Sequence, residues 1–281
     1  MSSILTNNGA MVALQTLKSV NNDLTKTQNA ISTGKEIASA KDGSAIWAIS
    51  KVMESDVAGF EAISDSLSLG ESTVAVASAG AEQVVKVLQE IKELAVSANS
   101  ENVDFAKIQT DISERVAQVS SIIGAAQFNG ANLLAADVDG AGATSLSVLS
   151  SLDRVGSGAP TASSITVDTV DFETDIDLAS DLTAITDTSS AATALGEIET
   201  FLQTAIDGAA ELGASAKRIS DQNGFVSKLT DAMKSGIGAL VDTDMEAASA
   251  RLQALQTQQQ LGVQALSIAN QAPQTILSLF R

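Results

Sequence analysis

This chain of 281 residues contains no histidine, no cysteine and no tyrosine. The first two absences remove whole classes of chemistry. Paired-histidine zinc sites, Ser-His and Cys-His nucleophile pairs, disulfides and thiolate metal centres all need side chains that are missing here. One Trp and seven Phe hold the aromatic content to 3%, so a core must be filled by Ala, Val, Leu and Ile, which at 3.5-residue spacing build helical bundles. The only prolines are Pro160 and Pro273, which leaves long stretches free of helix breakers. Bases are scarce too: 16 Lys and Arg stand against 34 Asp and Glu, a formal charge of −18, which opposes nucleic acid and anionic membrane surfaces as partners. Residues 252–280 are uncharged, but eight glutamines and Pro273 interrupt them. They fall short of the roughly 18 consecutive apolar residues of a spanning helix, and no membrane insertion is expected. The N-terminus has no basic region, apolar stretch and small-residue site in the order of a cleavable signal peptide, so secretion of that kind is not expected.

What is present is periodicity. Met245, Ala248, Leu252, Leu255, Gln259, Gly262, Leu266, Ala269, Pro273, Ile276 and Phe280 keep a seven-residue rhythm. Residues 1–17 are also uncharged, and Ala10, Ala13, Leu17, Val20, Leu24, Thr27 and Ile31 share one heptad register up to Gly34. Each terminal helix therefore wants an apolar partner. After a connector at residues 35–43, with Ser44 placed as a cap, Ile46, Ile49, Met53, Phe60, Ile63, Leu67, Val74, Ala77, Ala81, Val84, Leu88, Ile91 and Ala95 predict one helix of about fifty residues. Only Asp56 and Gly70 break its seam. The polar stretch 99–102 ends it, and Asp104 caps a shorter helix with Phe105, Ile108, Ile112, Val116, Val119 and Ile123 on its apolar face. Lys107, Asp111 and Arg115 on that helix are spaced for an i, i+4 charge ladder.

Between residues 137 and 200 twelve acids meet the single base Arg154. Val170, Phe172, Ile176 and Leu178 alternate with Asp171, Glu173, Asp175 and Asp177, which predicts a strand with its acids in water. Leu146 and Val148, with Ile165 and Val167, suggest neighbouring strands of a small hairpin system. From about Ser190 the helical register resumes through Leu195, Ile198, Leu202, Ala209, Leu212, Ala216, Ile219, Val226, Met233 and Ile237.

Motifs for chemistry are weak. The acidic run at Asp171–Asp177 resembles a calcium loop, but Ile176 stands where Gly is needed and Leu182 where the bidentate acid belongs. Ser32-Thr33-Gly34-Lys35 matches S-x-x-K without its companion elements, and reads better as a helix end at Gly34. No Walker or G-x-G-x-x-G sequence supports nucleotide binding. Trp47, beside Ile46 and Ile49, reads as packing at the connector. No catalytic residue, cofactor site or metal site is assigned.

Three stretches carry a resemblance to a known family: Ser39-Ala40-Lys41-Asp42-Gly43-Ser44 leading to Ala48-Ile49-Ser50, then Phe128-Asn129-Gly130-Ala131-Asn132-Leu133-Leu134, and the closing residues Ala269 to Arg281. With the flanking helices they resemble bacterial flagellin over residues 1–134 and 195–281. The resemblance implies a mainly α protein, a long antiparallel helical rod and coiled-coil bundle with a small β-hairpin region. Its terminal coiled-coil domain would be 1–44 plus 238–281, lining the filament channel. The outer rod would be 45–237, with the hairpin insert at about 137–189. It further implies a subunit of the extracellular flagellar filament that polymerises with itself, leaves the cell through the flagellar export apparatus with a chaperone, and meets hook-filament junction and cap proteins. Leu17, Val20, Leu24, Ile31, Leu252, Leu255, Leu266, Ile276 and Phe280 are the expected assembly residues. Two departures stand out. Ile46-Trp47 replaces the family's usual smaller residues, and Glu90 stands where Arg is usual in the segment read by an innate immune receptor, which argues against that recognition. A hook-filament junction protein is the nearest alternative, and the closing Asn270 to Arg281 stretch favours flagellin over it. An enzyme-bearing or glycan-binding filament protein is the other, opposed by the missing histidine and scarce aromatics.

Overall fold

A computed structural model describes residues 7–154 and 158–278, with side chains as far as residue 271. In chain order the elements are α1 (Asn8–Thr33), α2 (Ser44–Ser97), α3 (Phe105–Ala125), β1 (Gln127–Phe128), β2 (Ala131–Asn132), β3 (Ser145–Asp153), β4 (Thr161–Asp168), the short turns α4 (Phe172–Asp175) and α5 (Leu178–Asp181), α6 (Thr188–Val241) and α7 (Met245–Ser278). The architecture is mainly helical, as expected. The chain divides into a terminal unit, Met1–Ser55 with Ala232–Arg281, and a central unit, Asp56–Asp231.

In the terminal unit α1 and α7 run antiparallel. Asn7 Nδ2 donates to the Ala269 carbonyl at 2.7 Å, Gln259 Nε2 to Asn21 Oδ1 at 2.6 Å, and the Thr243 N–H to the Gly34 carbonyl at 2.9 Å, so one number falls as the other rises. The heptad face of α1 points inward: Val20 and Thr27 are buried, and Ala10, Ala13, Leu17, Leu24 and Ile31 are half-buried between exposed neighbours. Gly34 ends α1 at φ 69°, a left-handed conformation that glycine adopts without a Cβ penalty. In the connector the Asp42 carboxylate accepts from the Ser39 N–H at 3.0 Å and its hydroxyl at 2.7 Å. The Glu36 N–H donates to the Val241 carbonyl at 2.7 Å, tying that connector to the α6–α7 link.

The central unit takes α2 from residue 56, α3, and α6 to residue 231. Arg115 of α3 pairs with Glu90 of α2 and Ala126, just after α3, lies beside Gly80, while on α6 Glu199 pairs with Lys92 and Asn223 with Ser64, so both helices run antiparallel to α2. Along these helices Ile63, Leu67, Val74, Ala81, Val84, Leu88, Ile91, Ile112, Val119, Ile198, Leu212 and Ile219 are all at most 1% exposed. Asp104 caps α3 as expected, accepting from the Lys107 N–H at 3.2 Å. The expected ladder on α3 does not form. Lys107 turns back to the cap at Asp104, and Arg115 crosses to Glu90, because a cap carboxylate and an acid on the facing helix offer closer partners than Asp111.

Phe128-Asn129-Gly130-Ala131 is a two-residue hairpin: Asn129 at φ 51° and Gly130 at φ 85° make the turn whose twist matches the paired strands. Beyond it Leu133 and Leu134 are fully buried. The β3–β4 hairpin pairs Leu146 with Val167 and Val148 with Ile165, the neighbours expected from alternation. The strand expected at Val170–Leu178 is absent. Asp171 and Asp177 instead cap two helical turns, accepting from the Thr174 N–H at 3.0 Å and from the Ala179 and Ser180 N–H groups at 3.2 Å each. Phe172, Ile176 and Leu178 are buried all the same. The alternation marked Phe172, Ile176 and Leu178 correctly, with Val170 only half-buried, but aspartates that bond backbone two or three residues on compete with a sheet ladder.

Candidate assembly surfaces

The expected assembly residues fall mostly inside the subunit. Leu17, Val20, Leu24 and Ile31 of α1 lie on the face that meets α7, where Leu255 is buried and Leu252 and Leu266 are half-buried. The Ile276 side chain and Phe280 lie outside the described residues. Gly262, also on the seam, sits under Leu17: a Cβ there would lie 3.2 Å from Leu17 Cδ1. Met245 departs from the expected seam and is 46% exposed, because it stands at the first turn of α7.

Pairing leaves a second apolar surface uncovered, and heptad reasoning missed it. Met11, Val12 and Leu14 of α1 are 63%, 64% and 57% exposed, and Leu261, Val263 and Ile268 of α7 are exposed with them. Residues 10–14 read Ala-Met-Val-Ala-Leu, which is apolar all round a helix. That is the pattern of a helix covered on every side, yet α7 covers only one. Ile46, Ile49 and Val52 form a further exposed stripe at the start of α2. The first two were expected on a seam, but they stay exposed among the described residues. The signal available in the sequence was apolar residues off the heptad in a stretch without charge.

Charge is divided as unevenly as burial. The terminal unit holds eight bases and seven acids, a formal +1, and the central unit eight bases and 27 acids, a formal −19. Many of the acids are engaged locally. Backbone and hydroxyl donors of Ser190 hold the Asp187 carboxyl below its ordinary pKa, the Lys107 backbone N–H does the same for Asp104, and the Ser39 hydroxyl for Asp42. In the terminal unit Glu54 is lowered by the Lys51 ammonium, and Lys35 lies 3.4 Å away.

In the central unit the two breaks in the α2 seam hold the hairpin. Arg154 grips Asp56 with Nε at 3.1 and 3.2 Å from its two oxygens and Nη2 at 2.6 Å. A Cβ on Gly70 would lie 2.6 Å from Val148, so only glycine admits that strand. Glu90 Oε2 is 2.9 Å from Arg115 Nη1, an ion pair whose angle makes no hydrogen bond. No helix among the described residues is long and apolar enough to cross a membrane, and no acidic cluster among them could hold a metal ion.

The chain thus joins a well-filled acidic unit to near-neutral helices with bare apolar faces. Residues 4–139 match the bacterial flagellin N-terminal helical region, and residues 195–280 the bacterial flagellin C-terminal helical region. A flagellin of Brucella melitensis biotype 1 is 43% identical over 287 aligned residues, covering 100% of both chains. Flagellin FljK of Caulobacter vibrioides is 41% identical over 285, covering 100% of this chain and 99% of that one. Among solved structures, Bacillus cereus flagellin superposes with a TM-score of 0.48 at 17% identity, over 56% of this chain and 86% of that chain. The chain belongs to the bacterial flagellin family and is a structural subunit of the extracellular flagellar filament.

Proposed function

We propose that polymerisation buries the uncovered stripes of α1, α7 and the start of α2 against neighbouring subunits, and that the terminal helices become fully stable only then. The apolar circumference of residues 10–14, covered on one side, carries this reading. Isolated helix pairs with so little burial are marginal in water, and each large apolar side chain covered on assembly contributes roughly 1.5–3 kcal/mol before ordering costs. Residues 1–44 with 238–281 then form the inner coiled coil of the filament and 45–237 the outer rod. Within the pair, Leu17, Val20, Leu24, Ile31, Leu252, Leu255 and Leu266 hold α1 to α7, so that the stripes outside are presented together.

The subunit leaves the cell through the flagellar export apparatus with a chaperone. It meets hook-filament junction and cap proteins at the filament ends. It is not an enzyme: neither imidazole nor thiol is available, and the conspicuous acids are helix caps. Glu90, drawn to Arg115 of its own chain, does not serve the innate immune receptor contact.

Seeded assembly followed by sedimentation tests the proposal. Leu14→Asp and Val263→Asp, each on an uncovered stripe, are expected to abolish growth while the central unit keeps its thermal transition. Growth at an unchanged critical concentration would overturn it. A protein that stops seeds from growing, in place of extending them, would be acting as the junction protein.

A further inference from the structure

We propose that the β3–β4 hairpin is a strap, hinged at one end and held shut at the other by Arg154 on Asp56, so that this pair decides whether the α2 face beneath is covered. The hinge end is built into the core. The Thr169 N–H donates to the Thr144 carbonyl at 3.0 Å, Val170 to Leu133 at 2.8 Å and Phe172 to Leu134 at 3.0 Å, and Leu133, Leu134 and Phe172 are fully buried. The middle is seated by shape: Val148 occupies the notch at Gly70, and Gln222 of α6 donates to the Ser150 carbonyl at 2.9 Å.

The far end has less. Leu152 lies over Gly59, where a Cβ would come within 2.5 Å of its Cδ1, while Asp153, Thr161 and Ala162 are exposed. What remains is Arg154, the only base in residues 137–200. Its guanidinium makes three contacts to the Asp56 carboxylate and donates through Nη1 to the Gly158 carbonyl at 3.0 Å. The two side chains are only 27% and 20% exposed. A partly buried fork-to-carboxylate pair is strong while both partners are present, and removing one leaves the other desolvated and unpaired.

By helical spacing Asp56, Gly59, Ile63, Leu67 and Gly70 lie on one face of α2, and Ile63 and Leu67 are completely buried. Opening from the Arg154 end therefore uncovers apolar surface on an otherwise acidic unit, with the hinge intact. Neither the hinge nor the strap involves the terminal unit, so the inference stands apart from the assembly proposal.

Amide hydrogen exchange on the full-length soluble chain tests it, with far-UV circular dichroism confirming helix content. Arg154→Gln should accelerate exchange in peptides covering 149–152 and 161–164 by at least about tenfold, and leave 133–138 and 169–172 unchanged. Arg154→Lys, a single point charge, should give an intermediate value. Asp56→Asn, close in shape, should reproduce the Gln result and serves if the first variant misfolds. Exchanging the charges, Asp56→Arg with Arg154→Asp, should restore slow exchange. Unchanged exchange at the far end in both single variants would overturn the inference, as would equal acceleration at the far end and the hinge.

Discussion

The central and terminal units use the same apolar spacing and reach opposite outcomes. In the central unit Ile63, Leu67, Leu88, Ile91, Ile112, Leu212 and Ile219 are shut away from water by helices on more than one side. In the terminal unit the buried apolar side chains, among the described residues, are only Val20, Ile237, Val241 and Leu255, while Met11, Val12, Leu14, Ile46, Ile49, Val52, Leu261, Val263 and Ile268 face solvent. Charge follows the same division, −19 against +1. A periodic apolar face says that a helix needs covering, but not how many of its sides its own chain will cover. The unit that satisfies itself can carry a large net charge on its exterior, and the unit that needs neighbours carries almost no net charge.

The largest effect expected from breaking this contrast is loss of polymer. Leu255→Asp puts a carboxylate at a site only 7% exposed, so seeded assembly should fail while the thermal transition of the central unit is unchanged. Asp175→Ser, on an exposed turn, should assemble normally. Limited digestion sharpens the contrast. Protease should trim the soluble chain from both ends toward the central unit and spare the assembled protein, and equal resistance in the two states would count against folding on assembly.

Inside the central unit, Phe172 is completely buried with its ring against Gly208. Phe172→Ala should cost roughly 3–5 kcal/mol of that unit's stability. Fluorescence of Trp47, the only tryptophan and part of the terminal unit, should not change in the native protein. Salt should act more gently. Repulsion between acidic units is screened over about 10 Å at 0.1 M and about 3 Å at 1 M, and sulfate strengthens apolar contacts. The critical concentration should fall with ionic strength, more in sulfate than in chloride, and a rise would point to intersubunit ion pairs.

The smallest effect belongs to the caps. The Asp187 carboxyl is lowered in the folded chain, chiefly by the Ser190 N–H. Its contribution is therefore present above the unfolded carboxylate value and lost as pH falls through the lowered folded one. Asp187→Ala should destabilise the start of α6 slightly at neutral pH, and the difference from the parent chain should vanish in acid below that folded value. A difference that persists there would assign the effect to packing.

Much of the molecule was legible in the residues. Spacing located α1, α2, α3, α6 and α7, Gly34 marked the end of α1, Asp104 the start of α3, and Leu146, Val148, Ile165 and Val167 the paired strands. The Val170–Leu178 alternation mimics a strand because capping aspartates and buried apolar residues repeat at the same interval. The breaks at Asp56 and Gly70 are flaws in a seam by spacing alone, and in the fold Arg154 and Val148 occupy them.

Periodicity and composition by themselves determined the helical class, the absence of imidazole and thiol chemistry and the demand of both ends for apolar partners, because these depend on residue type and local spacing. Only the tertiary structure decided that the Leu17 and Leu255 faces are spent within the subunit, that Met11, Leu14 and Val263 are left bare, and that Arg154 closes the hairpin onto α2. Those outcomes depend on which surfaces meet across long sequence separations, and local spacing carries no information about the far side of a contact.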